Sequence, residues 1–245
     1  MSQNTLIIGI HAVHEALKDA KALDQIFVKK NSDNELVREI LFLARKQGVT
    51  VKTVPIEKIN RITHKNHQGI IAFTSPVDFY DITEIIPSIF EKGEVPLLVI
   101  LDQITDVRNF GAILRSCECF GVNAIIVPQK GAAQISEDAA KTSAGALYKV
   151  PISKVSSLIS CVDFLQQSGI QVVSVTEKST TSLYDVDFTV PVAIVLGSED
   201  VGITPTILNK SDACVKIPMQ GEISSLNVSV AAGISLYEVS KQRFV

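Results

Sequence analysis

The segment Gly221–Gly233, GEISSLNVSVAAG, places three polar side chains that could do chemistry directly after a glycine turn. They are Ser224, Ser225 and Asn227, and small apolar residues follow them. The apolar pattern runs too long for an ordinary strand and predicts a helix, for which either serine is a candidate N-cap. Asn227 would then be a buried amide in the first helical turn. A buried amide needs hydrogen-bond partners, which either the protein or a ligand must supply.

Four nearly continuous apolar segments indicate the sheet that would position these side chains. They read PLLVILD, NAIIVP, IQVVSV and VAIVLG, and helical patterns separate them. Strands of this kind are typical of a parallel sheet that is buried on both faces. Their carboxyl ends carry polar segments, DQITDVRNFG, PQKGAAQ, TEKSTT and GSEDVG. Open α/β sheets bind ligands at such ends, so we expect a site there.

Several common chemistries are excluded by the motifs that the chain lacks. There is no G-x-G and no G-x-x-x-x-G-K-[ST], and no histidine follows His67, so a Ser-His-Asp triad in the second half is excluded. No C-x-x-C pair and no carboxylate cluster suggests a metal. The available chemistry therefore rests on Arg, Asn, Ser, Glu and backbone amides. We expect reduced core thiols at all four cysteines: Cys117, Cys119, Cys161 and Cys214.

The first part of the chain alternates helical and strand patterns over a length typical of a small domain. A short polar segment, EKINRITHKNHQG, lies between its last two strands, and Pro76 marks a boundary. Residues 1–78 hold 11 Lys and Arg against 8 Asp and Glu, whereas the remainder holds 12 against 18. This split is compatible with a polyanion on the first domain, although solvated helix faces would produce it too. The second part opens with a helix, ITEIIPSIFEKG, which we expect to break near Pro87.

Three ordered segments carry a resemblance to a known family. LDQITDVRNFGAILRSCECFGVNAIIVP (101–128), IVLGSEDVGI (194–203) and IPMQGEISSLNVSVAAGISLYEV (217–239) resemble the three motifs of the SpoU/TrmH RNA ribose 2′-O-methyltransferases, of the SPOUT class. IIGIHAVHEAL and HKNHQGIIAF resemble the N-terminal substrate-binding domain of that family, which has an L30e-like fold. The resemblance implies an L30e-like α/β domain over 1–76. It also implies an α/β SPOUT catalytic domain over 77–245, with a mostly parallel sheet and a C-terminal trefoil knot.

The resemblance also implies a cofactor and an assembly. The family uses S-adenosylmethionine (AdoMet), works as a homodimer through the catalytic domain and wraps the cofactor with the segments that match 195–202, 217–221 and 225–227. Apolar walls and a few directed backbone groups suit a buried purine. The cofactor-binding residues implied in this way are Thr176, Leu196, Gly197, Gly202, Ile217, Met219, Gly221, Ser225 and Leu226.

Carried over in the same way, Arg115 becomes the candidate for chemistry, either oriented by Glu199 or merely paired with it. The other catalytic candidates are Asn109, Ser225 and Asn227. Val107 stands where the family usually has proline, which we expect to loosen the turn, and Arg108 becomes an extra cation. The candidate RNA contacts are Lys65, Asn66, His67, Gln68 and Arg108.

The resemblance implies methylation of a ribose 2′-hydroxyl in RNA, and the two-domain form resembles most the members that modify a guanosine of 23S rRNA. A tRNA 2′-O-methyltransferase and a non-catalytic RNA-binding or ribosome-assembly factor are the alternatives. No apolar run is long enough to span a membrane. The N-terminal segment also lacks a basic stretch followed by a cleavable apolar one. We therefore expect a cytoplasmic protein with RNA as its partner and without a metal.

Overall fold

The computed structural model describes residues 6–31 and 34–244. The chain forms two compact units. Unit 1 contains residues 1–78 together with 135–137, and unit 2 contains residues 79–134 and 138–245. Among the helices of the described ranges, none is long and apolar enough to cross a membrane.

Unit 1 is a four-stranded mixed sheet with helices on both faces. Its strands lie in the order β1-β4-β2-β3, and β2 pairs in parallel with β3 but antiparallel with β4. The elements are β1 (Leu6–Ile8), α1 (Ile10–Lys18), β2 (Leu23–Lys29), α2 (Glu35–Lys46), β3 (Thr50–Val54), α3 (Ile56–Ile62) and β4 (Ile70–Thr74).

The two faces of this sheet are covered differently. Helices α1 and α2 pack on the face that carries Ile26 and Val28. The opposite face carries Phe27 and Ile71 and is covered by α3, which buries Ile59 completely. Helix α3 forms within the segment that the sequence presented only as polar. Ile59 is the buried residue of this short helix, and it anchors the helix on the sheet, whereas Ile56 and Ile62 are exposed.

Unit 2 is built on a six-stranded sheet in the order β10-β8-β9-β5-β6-β7. Every adjacent pair in it is parallel, so the prediction of a mostly parallel sheet is confirmed. The elements are α4 (Ile82–Glu91), β5 (Leu97–Asp102), α5 (Val107–Cys119), β6 (Ala124–Pro128), α6 (Glu137–Thr142), β7 (Ile152–Val155), α7 (Leu158–Gln167), β8 (Gln171–Val175), β9 (Val192–Gly197), α8 (Pro205–Lys210), β10 (Ala213–Val215) and α9 (Val228–Phe244).

Helix α4 continues through Pro87, so the expected break is wrong. Proline at this position removes the single backbone donor that would bond to residue 83. The helix persists because Ile82, Ile86 and Ile89 are buried in the main core of unit 2. Tertiary packing of an apolar face outweighs one lost hydrogen bond.

Helices also cover both faces of the unit 2 sheet. Helices α4, α7 and α8 pack on the face that includes Leu98 and Ile100, while α5 packs against α9, which contacts β9. The carboxyl ends of β5, β8 and β9 therefore lie at the same end of the sheet. Helices α5 and α9 both begin there. The trefoil knot stays a prediction.

Candidate functional site

The end of β9 passes so close to the following loop that only glycine fits. A Cβ added at Gly197 would lie 2.2 Å from both the carbonyl carbon of Gly202 and the amide nitrogen of Ile203. Gly202 has φ 76° and donates its N–H to the Ser198 carbonyl at 2.8 Å, which closes the turn. A side chain at Gly197 would therefore displace the loop itself before it could obstruct a ligand.

A cavity of about 280 Å³ opens beside this loop. Its volume lies near the lower end of the range for ligand pockets, about 300–1,000 Å³. Eight of the nine sequence-predicted cofactor residues line it: Thr176, Leu196, Gly197, Gly202, Ile217, Met219, Ser225 and Leu226. The ninth, Gly221, is exposed and is not part of the lining. Val228 and Ala231 of α9 also line the cavity, although sequence analysis did not select them.

The charged side chains around the cavity are mostly acidic. The lining contains three carboxylates, those of Glu177, Glu199 and Asp200. In the described part of the chain, Lys178 is the sole cation of the lining. Apolar walls come from Leu196 and its neighbours in the lining. A mixed cleft with some apolar walls and an acidic margin suits a ligand that combines an aromatic ring with a net positive charge.

Glu199 is held by amides from two helices. Asn109 of α5 donates from Nδ2 to Glu199 Oε1 at 3.0 Å, and Asn227 donates from Nδ2 to the same oxygen. Asn227 Nδ2 also contacts Asn109 Oδ1 at 3.0 Å, which closes a three-membered network. The starts of α5 and α9 and the loop after β9 are thereby joined through one carboxylate.

Asn227, rather than either serine, caps α9. Its side-chain oxygen accepts from the Ser229 backbone N–H at 2.9 Å, and its carbonyl accepts from the N–H groups of Val230 and Ala231 at 3.0 Å. The expectation of a serine cap is therefore wrong. Asn227 is exposed, so the expected burial is wrong too. The partners that its amide requires are Glu199 and Asn109.

Two aspartates of the first motif organise the surrounding backbone. Asp106 caps α5 by accepting from the N–H groups of Arg108 and Asn109 at 2.9 and 2.8 Å. The turn therefore keeps its side-chain cap with Val107 at the first helical position, while a looser turn stays a prediction. Buried Asp102 accepts from the Thr204 N–H at 2.7 Å and ties the loop after β9 to the end of β5. Asp102 was not among the residues predicted for the site.

Arg115 lies six residues after Asn109 on α5, with an exposed side chain. Within residues 6–31 and 34–244 it makes neither a hydrogen bond nor an ion pair. The expected pairing with Glu199 is absent from this part of the chain, and Oε1 of Glu199 accepts from the amides of Asn109 and Asn227 instead. The guanidinium of Arg115 is thus available to a ligand, as is that of exposed Arg108.

The predicted RNA loop of unit 1 contains two kinds of residue. Lys65 and Asn66 are exposed. Gln68 instead accepts from the Ile10 N–H at 3.1 Å, and His67 Nδ1 accepts from the Gly69 N–H at 2.9 Å. His67 therefore carries its proton on Nε2, which donates to an asparagine of α3 at 2.8 Å. These bonds give His67 and Gln68 a role in loop structure, whereas Lys65 and Asn66 remain candidate RNA contacts.

All four cysteines are free, and burial raises the pKa of Cys161 to about 12 and that of Cys117 further. Burial also raises the pKa of half-buried Cys214. Cys119 is exposed, so the expectation that all four lie in the core is wrong. The described residues contain no group of side chains that could hold a metal ion.

Two families of sequences match the chain. Residues 96–237 match the SpoU rRNA Methylase family, and residues 6–80 match the family described as RNA 2′-O ribose methyltransferase substrate binding. YacO of Bacillus subtilis, named as a TrmH family tRNA/rRNA methyltransferase, is 32% identical over 98% of this chain and 97% of its own length. A Staphylococcus haemolyticus protein of the same description is 34% identical over the same shares.

Solved structures agree with the fold. AviRb of Streptomyces viridochromogenes, a SpoU methyltransferase crystallised with AdoMet, matches with TM-score 0.62 and 24% identity, over 97% of this chain and 90% of its own. The A. aeolicus TrmH/SpoU tRNA modifying enzyme matches with TM-score 0.56 and 32% identity, over 66% of this chain and 83% of its own. The match over residues 96–237 and the relatives that span nearly the whole chain place the protein in the SpoU/TrmH family of RNA methyltransferases.

Proposed function

We propose that the protein transfers a methyl group from AdoMet to a ribose 2′-hydroxyl of RNA, most specifically to a guanosine of 23S rRNA. The observation that carries this proposal is the cavity at the carboxyl edge of the parallel sheet, beside the Asn109–Glu199–Asn227 network. The substrate-binding match over residues 6–80 supports RNA and a ribose target.

The cavity fits AdoMet in its chemistry. Leu196, Ile217 and Leu226 offer apolar surface to the adenine. The three carboxylates of the margin suit a molecule that carries a sulfonium and an ammonium against one carboxylate. When bound, AdoMet supplies an already activated methyl group. The residues of this chain must therefore supply position and proton removal, since a ribose hydroxyl is a poor nucleophile.

Arg115 is the candidate for the first task, and it can assist the second only through a contact with the substrate. A guanidinium is fully protonated near neutral pH and so cannot accept a proton by itself. An exposed guanidinium without a partner can bind a substrate phosphate through its planar fork and hold the adjacent ribose in place. Its position six residues along α5 from Asn109 sets it on the helix whose start carries the network.

Glu199, Asn109 and Asn227 act together as positioning residues. Glu199 Oε1 receives two amide donors, so the carboxylate cannot rotate freely. Asn227 also fixes the start of α9, whose first turns line the cavity with Val228 and Ala231. The network therefore couples the cofactor wall to the helix that carries Arg115. Ser225 lines the same cavity and is exposed, where it can contact either ligand.

The test is methyl transfer from radiolabelled AdoMet to purified bacterial rRNA and tRNA from a strain that lacks this gene. A 2′-O-methyl group blocks alkaline cleavage of the adjacent phosphodiester. Label in alkali-resistant dinucleotides therefore supports ribose methylation, whereas label in mononucleotides indicates base methylation and contradicts the proposal.

The same assay separates the alternatives. Transfer to 23S rRNA, with the label in a G-containing dinucleotide, supports the full proposal. Preferential transfer to tRNA would favour the tRNA enzyme, for which the A. aeolicus relative is the precedent. If calorimetry showed no AdoMet binding and neither RNA was labelled, the protein would be a non-catalytic RNA-binding factor.

A further inference from the structure

Two lysines of unit 1 are held over a single aromatic ring. The ammonium of Lys58, on α3, lies 5.2 Å from the centroid of the Phe27 ring, and that of Lys52, on β3, lies 5.9 Å from it. Lys52 is also the direct cross-strand neighbour of Phe27. Lys29 lies two residues after Phe27 on β2, and its side chain passes close to Gly69 in the loop before β4. A Cβ added at Gly69 would lie 2.4 Å from Lys29 Cδ. Three cations therefore gather on the α3 face of the sheet.

The charges of these three cations are not balanced by acidic side chains of the described residues. Across the described residues, none of the three forms an ion pair or a hydrogen bond with an acidic side chain. Like charges that are brought together repel, and attraction to a ring at an exposed site is weak. Edge strands often carry lysine to prevent aggregation, which would account for Lys52 on β3. That explanation does not extend to Lys58, which lies on a helix.

The charge is concentrated in one layer of the unit. Residues 56–68, which cover the Phe27 face, contain Lys58, Arg61 and Lys65 but only one acid, Glu57. Arg61 follows Lys58 by one turn and so lies on the same side of α3. By contrast, α1 and α2 on the other face carry four Lys and Arg against three Glu. The excess of positive charge in unit 1 therefore lies mainly on the α3 side.

We infer that this surface, the α3 face (Lys29, Lys52, Lys58, Arg61 and Lys65), binds the phosphate backbone of the substrate RNA. The inference rests on RNA being the substrate and goes beyond it by assigning the contact surface. Unpaired lysines and arginines that follow one surface match a chain of phosphates, and each phosphate bound releases counterions.

The contact is to phosphate and not to bases. Phe27 is only 6% exposed, because lysine stems and α3 cover it, so no base can stack on its ring. The ring instead directs the lysine stems, with the ammonium groups at the exposed ends of the side chains. Asn60 of α3 holds His67 at 2.8 Å and so fixes the loop that carries Lys65 relative to the helix. This surface should therefore bind RNA with little sequence preference.

The test compares two double variants in the full-length protein. Lys52→Glu with Lys58→Glu alters the α3 face, whereas Arg38→Glu with Arg45→Glu makes the same charge change at exposed positions of α2, on the other face. The probes are a fluorescent 20-nucleotide poly(U) and an RNA hairpin with a 20-base-pair stem. Affinity is measured by anisotropy between 50 and 200 mM KCl.

For the α3-face variant we expect affinity at 50 mM KCl to fall about tenfold or more, and the log–log salt slope to shrink by roughly 1.4–1.8, the loss of two phosphate contacts. The α2 variant should change both quantities far less. Equal losses in both variants would show a diffuse charge effect and overturn the assignment, as would unchanged affinity in the α3-face variant.

Two controls separate folding and substrate class from the surface itself. Thermal melting and AdoMet affinity should match wild type in both variants, and Lys52→Gln with Lys58→Gln provides a milder change that should show a smaller loss of the same kind. If wild-type protein failed to bind either RNA, RNA as the substrate would be wrong, and this surface with it. If RNA affinity were retained without the two lysines, only the surface would be wrong.

Discussion

Two arginines of unit 2 are used in opposite ways. Arg243, near the end of α9, donates hydrogen bonds of 2.8–3.0 Å to four backbone carbonyls from two loops, those of Val95, Pro96, Phe188 and Val190. Arg115, on α5, is exposed and makes no such bond within the described residues. One guanidinium is fully occupied in joining segments of the chain, while the other remains available to a substrate.

This difference separates structural from functional use of the same side chain. Burial lowers the pKa of Arg243, yet its four bonds keep the guanidinium in place. A planar fork that satisfies several carbonyls at once stabilises the fold because those carbonyls would otherwise lose their partner. An exposed fork without partners adds little stability. Helix α9 connects the two regions, since it begins at the Asn227 cap and ends beside Arg243.

The largest expected effect is on catalysis by Arg115. Arg115→Ala should lower the single-turnover rate of methyl transfer to rRNA by about 10²–10⁴, the range for loss of a group that assists proton transfer. Arg115→Lys should also be severely impaired, because lysine keeps the charge but not the planar fork. AdoMet affinity should stay unchanged in both variants, since Arg115 does not line the cavity.

A rate for Arg115→Ala within about threefold of wild type, far below the acid–base range, would contradict this role. The role would then pass to Ser225 or to Asn227. Calorimetry with AdoMet is the control that separates a lost chemical step from a lost cofactor.

The complementary effect is on stability at Arg243. Arg243→Ala should cost about 2–4 kcal/mol, because four carbonyls lose a charged donor in a half-buried position. For a unit of this size the melting temperature should fall by roughly 5–15 °C. Arg115→Ala is the matched control and should melt within about 0.5 kcal/mol of wild type. Equal melting of the two variants would remove the distinction between the two arginines.

Sequence patterns predicted the fold well, because apolar periodicity and the order of buried strands are local signals. The site was harder to resolve. The segment SSLN offers three capping side chains within four residues, and only contacts with Asn109 and Glu199, over 100 and 28 positions away, select Asn227. Arg243 gave no signal at all, since its partners are backbone carbonyls of distant loops and any residue type would supply them.

The outer face of α9 should mediate a homodimer. Val230 and Tyr237 are 49% and 60% exposed and lie, with half-buried Ile234, on one stripe of a helix whose opposite side is already packed. A second copy of the chain would cover this stripe through a twofold contact. Light scattering at micromolar concentration should give twice the 26.5 kDa chain mass.

Tyr237→Arg should shift that equilibrium to monomer, with a loss of about 2 kcal/mol or more, as for a buried aromatic at the centre of an interface. Tyr184, which is 57% exposed elsewhere in unit 2, is the matched control, and Tyr184→Arg should leave the mass unchanged. A wild-type monomer at these concentrations would refute the dimer. In a monomer, Arg115 would have to act without any contribution from a second chain.

The smallest expected effect is on the wall of the cofactor cavity. A test at Gly197 would be uninformative, because any side chain there collides with the backbone of Gly202. Leu226→Ala instead removes apolar surface from the lining without disturbing the network. Loss of a partly buried leucine contact corresponds to about 1–2 kcal/mol, so AdoMet affinity should fall roughly 5–30-fold. Ile223→Ala, at an 80% exposed position outside the lining, should leave affinity unchanged.

If both variants bound AdoMet like wild type, the cofactor would have to lie elsewhere along the carboxyl edge of the sheet. Arg115 would then have been assigned its role beside the wrong cavity.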